Sequence, residues 1–239
     1  MSGPAALFFD FDGTLHDLEA ASRAALRSAM PGLGSEALSE VHRLSNLRWA
    51  ELWPAYLRGD LDEAALYEAW HGEMLRAAGG MADAAAVAAL AERYAAALDR
   101  HMRPFPEVVP TLTALRASRP DVRLAVLTNG TALNQRRRIA ALGLADLIPA
   151  CIISGEVGAA KPQAAIFTLA LAAVGVPPER AVMIGDAPQA DVAGARRAGL
   201  AAVWLNRAGQ PWPADVAPAP NAVAGDLGEA VRLAMASGS

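Results

Sequence analysis

Five short apolar runs, Ala5–Phe9, Val122–Leu127, Cys151–Ile153, Ala181–Ile184 and Ala201–Leu205, constrain this chain more than any other feature. They are continuous rather than alternating, the pattern of strands buried on both faces of a parallel sheet. Parallel neighbours need a crossover, usually a helix. Helical stretches separate the last four runs: Val108–Ser118 before the second, Ala132–Leu142 after it, Gln163–Val174 after the third and Asp191–Ala198 after the fourth. Gly143, Gly175 and Gly199 stand where such helices should stop. The pattern predicts an α/β fold, a doubly wound parallel sheet with helices on both faces.

Residues 16–103 break this alternation. They offer no strand but four helical segments, Leu18–Met30, Ser35–Leu57, Asp62–Ala77 and Ala84–Arg100, with Asp62 and Asp83 placed as helix starts. An all-helical block lodged between the first strand and the rest of the sheet predicts two domains. Residues 1–15 and 104–239 form the α/β core, and 16–103 form an inserted helical cap whose return linker is stiffened by Pro104 and Pro106. Pro211–Pro220 reads as a loop before the last helix.

Charge and cysteine content narrow the partners. Lys and Arg number 21 against 25 Asp and Glu, a formal net charge of −4, which offers no electrostatic grip on nucleic acid or anionic membrane. The lone Cys151 excludes an internal disulfide and a thiolate metal cage. No apolar run approaches the roughly 18–20 residues of a membrane span. Ala5–Phe9 meets an acid at once, unlike a signal peptide. The expectation is a soluble cytoplasmic protein, monomer or homodimer, with neither nucleic acid nor membrane as a partner.

The chemistry sits at strand ends. In FFDFDGTL, residues two apart on an extended chain point the same way, so Asp10 and Asp12 share one side and Phe9 and Phe11 the other. In VMIGDAPQAD, Asp186 closes a strand and Asp191 opens the next helix. If those strands are neighbours, four carboxylates crowd together and raise one another's pKa, and a hard divalent cation, Mg²⁺ above all, relieves them. Between these pieces, VLTNG offers the Thr128 hydroxyl, the Asn129 amide and backbone N–H groups at a helix start, a setting for an oxyanion. Lys161, before Pro162, supplies an ammonium for phosphate and carboxylates. Each feature has a plain structural reading: loop aspartates, an Asn-Gly turn, a surface lysine, a helix cap. Their fixed order at successive strand ends argues for a site. No Walker A sequence exists, and the glycines at 32 and 34 follow a helix, not a strand, so no dinucleotide fingerprint is assigned.

With DxDGT, Thr-Asn-Gly, Lys-Pro and GDxxxxD in that order, the chain resembles the haloacid dehalogenase superfamily over about residues 5–15 and 104–207. The insert after the first motif resembles the subclass with a helical C1 cap. SGEVGAAKPQAAIF and VMIGDAPQADVAGARRAGLAAVWLNRAG resemble the branch of pyrimidine 5′-nucleotidases and N-acylneuraminate-9-phosphatases.

The resemblance implies a Rossmann-like core and an Mg²⁺-dependent phosphatase. Asp10 would be the nucleophile and form an aspartyl phosphate; Asp12 would protonate the leaving alcohol and then activate water. Mg²⁺ would bind Asp10, the Asp12 backbone carbonyl and Asp186, with Asp191 in the outer shell. Thr128, the Asn129 backbone and Lys161 would cradle the phosphoryl oxygens, and the cap would close over the core and exclude water. Asp12 favours phosphate-ester chemistry over a 2-haloacid dehalogenase, because halide leaves without protonation. A phosphosugar mutase and a non-enzymatic phosphate-binding module also stay open. A nucleoside monophosphate or sugar phosphate is the favoured substrate, with phosphoglycolate third. Trp49 and Trp53 read as cap packing rather than a stacking platform, and Arg43 and Arg48 as a solvated helix face. His16 reads as a polar hinge residue and the run Arg136–Arg138 as solvated charge.

Overall fold

The computed structural model of the chain describes residues 3–236. By internal contacts it divides into two compact units, Met1–Asp17 with Pro104–Ser239, and Leu18–Arg103.

The first unit holds a six-stranded sheet in the order β3-β2-β1-β4-β5-β6. Its strands are β1 Ala6–Phe9, β2 Arg123–Thr128, β3 Ala150–Ile153, β4 Ala181–Gly185, β5 Ala201–Leu205 and β6 Ala222–Ala224, and every pairing is parallel. The doubly wound α/β expectation therefore holds. Every residue of β1 is buried, and alternate residues feed opposite layers. Leu7 and Phe9, with Val126, Ile184 and Val203, join one core with Leu112 and Val231; Ala6 and Phe8, with Leu127, Met183 and Ala202, join another with Ile166 and Phe167. A strand flanked by two apolar layers cannot alternate apolar with polar residues, which is why the runs are continuous.

Helices α5 Val108–Ser118 and α10 Leu227–Ala236 supply the first layer, and α8 Ala164–Val174 the second. Helices α6 Ala132–Ala141, α7 Ser154–Val157 and α9 Gly194–Arg197 complete the unit. Gly175 ends α8 at φ 62°, a left-handed cap that the missing Cβ makes inexpensive. Three elements depart from the sequence reading. Strand β6 has three residues, of which only Ala224 is buried, too short to stand out after the loop at Pro211–Pro220. Helix α7 is one turn long. The segment at Asp191 begins not as an α-helix but as a π-helical turn, Pro188–Ala193.

The second unit is α1 Leu18–Ala29, α2 Ser35–Leu57, α3 Glu63–Ala77 and α4 Ala84–His101, with α1 packed on α4 and α2 on α3. Asp62 and Asp83 cap α3 and α4 by accepting from the N–H groups of Ala65 and Ala86 at 2.8 and 2.9 Å; such caps contribute about 1 kcal/mol each. Trp49 stacks on Trp53 and meets Trp70 edge-on, Trp70 meets Tyr94, and Trp70 Nε1 donates to Ser45 O at 2.9 Å. Both tryptophans are thus built into the packing of this unit. Arg43 and Arg48 pair with Glu40 and Glu51 on the exposed surface.

Candidate active site

The strand order reverses direction between β1 and β4. Open α/β sheets bind ligands outside the carboxyl ends of strands at such a switch point, and both aspartate pairs begin there. Asp10 follows β1, with its N–H still in the ladder to Ile184 O at 2.9 Å. Asp186 follows β4, its carbonyl fixed by Trp204 Nε1 at 2.9 Å.

Lys161, between α7 and α8, is not a surface lysine. It is buried, and Nζ donates to Asp10 Oδ1 at 2.6 Å, Asp191 Oδ1 at 2.7 Å and Leu127 O at 2.8 Å. Three donors meet three acceptors, the condition for burying an ammonium. Burial alone would depress its pKa, but Asp10 and Asp191 overcome burial and hold Lys161 above its ordinary value. The Asn129 amide aligns this loop: Nδ2 donates to Lys161 O and Oδ1 accepts from Lys161 N, each at 2.9 Å. Those bonds engage the amide that the sequence suggests as an oxyanion ligand. Thr128 is buried, and its Oγ1 accepts from Gln135 Nε2 at 2.9 Å.

Oxygens of Asp10, Asp186 and Asp191 lie within 4.8 Å of one another. Burial pushes Asp10 well above the usual carboxylate range; Lys161 opposes this, and Asp191 and Asp186 add to it. Burial and then Asp191 push Asp186 up to about 6. Asp191 is not a helix cap. Its Oδ2 accepts from Ala187 N at 2.9 Å inside the π-helical turn, while Oδ1 takes Lys161, so both oxygens are engaged.

The fourth carboxylate parts from the other three. The extended chain ends at Phe9, so the alternation that would put Asp10 and Asp12 on one side does not persist. Asp12 instead accepts from Arg138 through both oxygens, from His16 Nε2 at 2.8 Å and from Gln135 Nε2 at 3.2 Å. Burial would raise its pKa, but Arg138 and His16 prevail and hold it far below the usual carboxylate range.

Two residues contradict their sequence reading. Arg138 is 4% exposed rather than part of a solvated run, and His16 is fully buried rather than a polar hinge. The arginine run is mixed. Arg136 does face solvent, paired with Glu156 at 2.6 Å, whereas Arg138 lies two positions on, about 200° around the helix. That angular offset within α6 is a usable signal.

The Asp12–Gly13 exit is tight. Gly13 has φ 82°, and a Cβ there would overlap the Asp186 carboxylate. Gly13→Ala should lose at least about 1–2 kcal/mol from the left-handed backbone alone, and displace Asp186. Thermal melts with and without a divalent cation check this: the variant should melt lower and lose most of any increase the cation gives the parent chain. An unchanged increase would separate Gly13 from the acidic cluster.

Residues 4–199 match the haloacid dehalogenase-like hydrolase family. The chain belongs to that family. It is 39% identical over 188 residues to a phosphoserine phosphatase of Thermus thermophilus, covering 74% of this chain and 71% of the relative. It is 34% identical over 172 residues to the pyrimidine 5′-nucleotidase YjjG of Escherichia coli, covering 70% and 71%. Among solved structures, a 2-haloacid dehalogenase from Pseudomonas syringae superposes with a TM-score of 0.69 at 28% identity, covering 99% of each chain. The chain is therefore a haloacid dehalogenase-like hydrolase with curated phosphatase relatives, as its motifs implied. No helix among the described residues is long and apolar enough to cross a membrane.

Proposed function

We propose that this hydrolase is an Mg²⁺-dependent phosphatase of a small soluble phosphomonoester, working through an aspartyl phosphate. The observation that carries the reading is the buried Asp10–Lys161–Asp191 arrangement beside Asp186, at the switch point of the sheet.

The donor set fits a hard divalent cation: three carboxylates in mutual reach, two with raised pKa values, and neither thiolate nor imidazole among them. Asp10, Asp186 and the Asp12 backbone carbonyl would hold Mg²⁺. Asp191 has both oxygens engaged, by Lys161 and by the Ala187 N–H, so it would stand in the outer shell and orient the ammonium. When bound, the cation offsets the negative charge of phosphate and carboxylates.

The side chains then divide the work. Asp10 attacks phosphorus through a carboxylate oxygen while Asp12, held ionised by Arg138 and His16, takes the proton carried by the phosphate monoanion and passes it to the departing alkoxide, releasing the alcohol. Asp12 next takes a proton from water as that water attacks the phosphorus of the aspartyl phosphate, which frees phosphate and restores Asp10. Lys161, Thr128 and the Asn129 backbone stabilise the phosphoryl oxygens, since phosphoryl transfer is mostly positioning and charge stabilisation. The helical unit Leu18–Arg103 acts as the cap. Relatives called a phosphoserine phosphatase and a pyrimidine 5′-nucleotidase put phosphoserine and nucleoside monophosphates first in a substrate panel, with sugar phosphates and phosphoglycolate beside them. Likeness to a 2-haloacid dehalogenase gives the second reading; halide release from a 2-haloacid, with no phosphate released from any ester, would establish it instead.

The raised Asp186 pKa gives this reading a pH signature. A carboxyl at about 6 in the folded chain, against an ordinary value of 3.8, binds its proton more tightly folded than unfolded. Its contribution therefore stabilises the metal-free protein as pH falls from 7 toward 4. Mg²⁺ must displace that proton at pH 5 but not at pH 7.5. The rise in Tm produced by Mg²⁺ should be clearly larger at pH 7.5, and equal rises at both pH values would remove Asp186 from the metal site.

A further inference from the structure

Arg138 takes no part in the chemistry proposed for the site, yet its guanidinium contacts Asp12, Gln135 and His16 beside it. Nη2 meets Asp12 Oδ1, and Nη1 meets Oδ2 at 3.2 Å, so one guanidinium spans both oxygens of one carboxylate. Nη1 also donates to Gln135 Oε1 at 2.7 Å. Gln135 Nε2 in turn lies 3.2 Å from Asp12 Oδ2, 2.9 Å from Thr128 Oγ1 and 3.2 Å from Asn129 O. Gly130 leaves the room this needs, because a Cβ there would overlap the Gln135 side chain. The guanidinium lies 5.3 Å from the Phe11 ring centroid.

Burying an arginine is costly unless its charge and donors are matched, and an apolar side chain would fill the space beside Phe11 at lower cost. Two neighbouring arginines on the same helix point elsewhere: Arg136 pairs with Glu156 and Arg137 donates to Asn134. The Asp12 side chain remains a quarter exposed, against 5% for Arg138. The carboxylate thus keeps a solvent-accessible side that its guanidinium partner lacks.

We propose that Arg138, braced by Gln135, is a positioning residue that fixes the orientation of the Asp12 carboxylate as it relays the substrate's proton to the leaving group. The proposal rests on the reading of Asp12 as the acid–base group. A planar fork sets direction as well as charge, which a lysine at the same place would not do.

The test compares two esters by kcat/KM, which covers the steps through loss of the alcohol. Glycerol 2-phosphate has a basic leaving group that needs a proton; 4-nitrophenyl phosphate has an acidic one that needs little. Arg138→Met should lower kcat/KM for the first about 10–100-fold, within what general acid catalysis supplies, and for the second less than about threefold. In an Asp12→Asn background, Arg138→Met should add no further loss, because the group it orients is gone. Arg138→Lys, which keeps the charge without the fork, should retain the same selective deficit and carries the comparison if the Met variant does not fold. Equal losses on both esters, or additive losses in the double variant, overturn the proposal and leave the acid–base reading intact. No effect of Asp12→Asn alone on either ester overturns both.

Discussion

Asp10→Asn should lower phosphatase turnover by about 10³-fold or more, the scale seen when a covalent nucleophile is removed, while leaving the metal-free protein at least as stable as before. The two halves of that result have one cause. Burial, Asp191 and Asp186 hold the Asp10 carboxyl well above its ordinary value, with Lys161 only partly compensating. A group with a raised folded-state pKa weakens the fold once ionised, so its contribution falls as pH rises through the folded value. A neutral amide removes that cost and keeps an oxygen for the Lys161 ammonium. Activity and stability should therefore move in opposite directions at pH 7.5, read by phosphate release and by Tm. Mg²⁺ should raise the Tm of the variant less than that of the wild type. Retained turnover would remove Asp10 as nucleophile, and a large loss of stability in step with activity would show that its charge holds the fold instead.

The sheet is legible in the sequence because its strands are buried on both faces, and that requirement writes continuous apolar runs into the chain. Strand β6 escapes because its register to Leu205 is carried by three residues with one buried side chain. The acidic cluster is legible in part. Asp10, Asp186 and Asp191 can be placed together because β1 and β4 are neighbours, an adjacency the motif order suggests. Asp12 cannot be placed, since its direction depends on a turn after the strand and on a guanidinium 126 positions away. Burial of Arg138 and His16 is likewise a consequence of tertiary packing. The helical offset between Arg136 and Arg138 shows that they face different ways, but not which of them faces inward.

Lys161→Met should be the most destabilising single change in the site, and its cost should depend on pH. The substitution removes one ammonium from between two carboxylates that lie 2.6 and 2.7 Å from it, with Asp186 close by. Removing one partner of a buried ion pair costs about 3–5 kcal/mol, mostly because the remaining charge has no partner. In the wild type the raised Lys161 pKa contributes stability that is fully present below the ordinary lysine value and is lost only as pH rises through the higher folded one, so it is constant from pH 5 to 8. The variant has no such plateau. The carboxyls of Asp10 and Asp186 lose the charge that opposed their upward shift, take up protons as pH falls, and regain stability. Denaturant melts should then show a large deficit against wild type at pH 7.5, a clearly smaller one at pH 5, and partial recovery with Mg²⁺ at pH 7.5. A deficit independent of both pH and Mg²⁺ would mean that the lysine contributes packing rather than charge, and the three acids would no longer constitute an electrostatic unit.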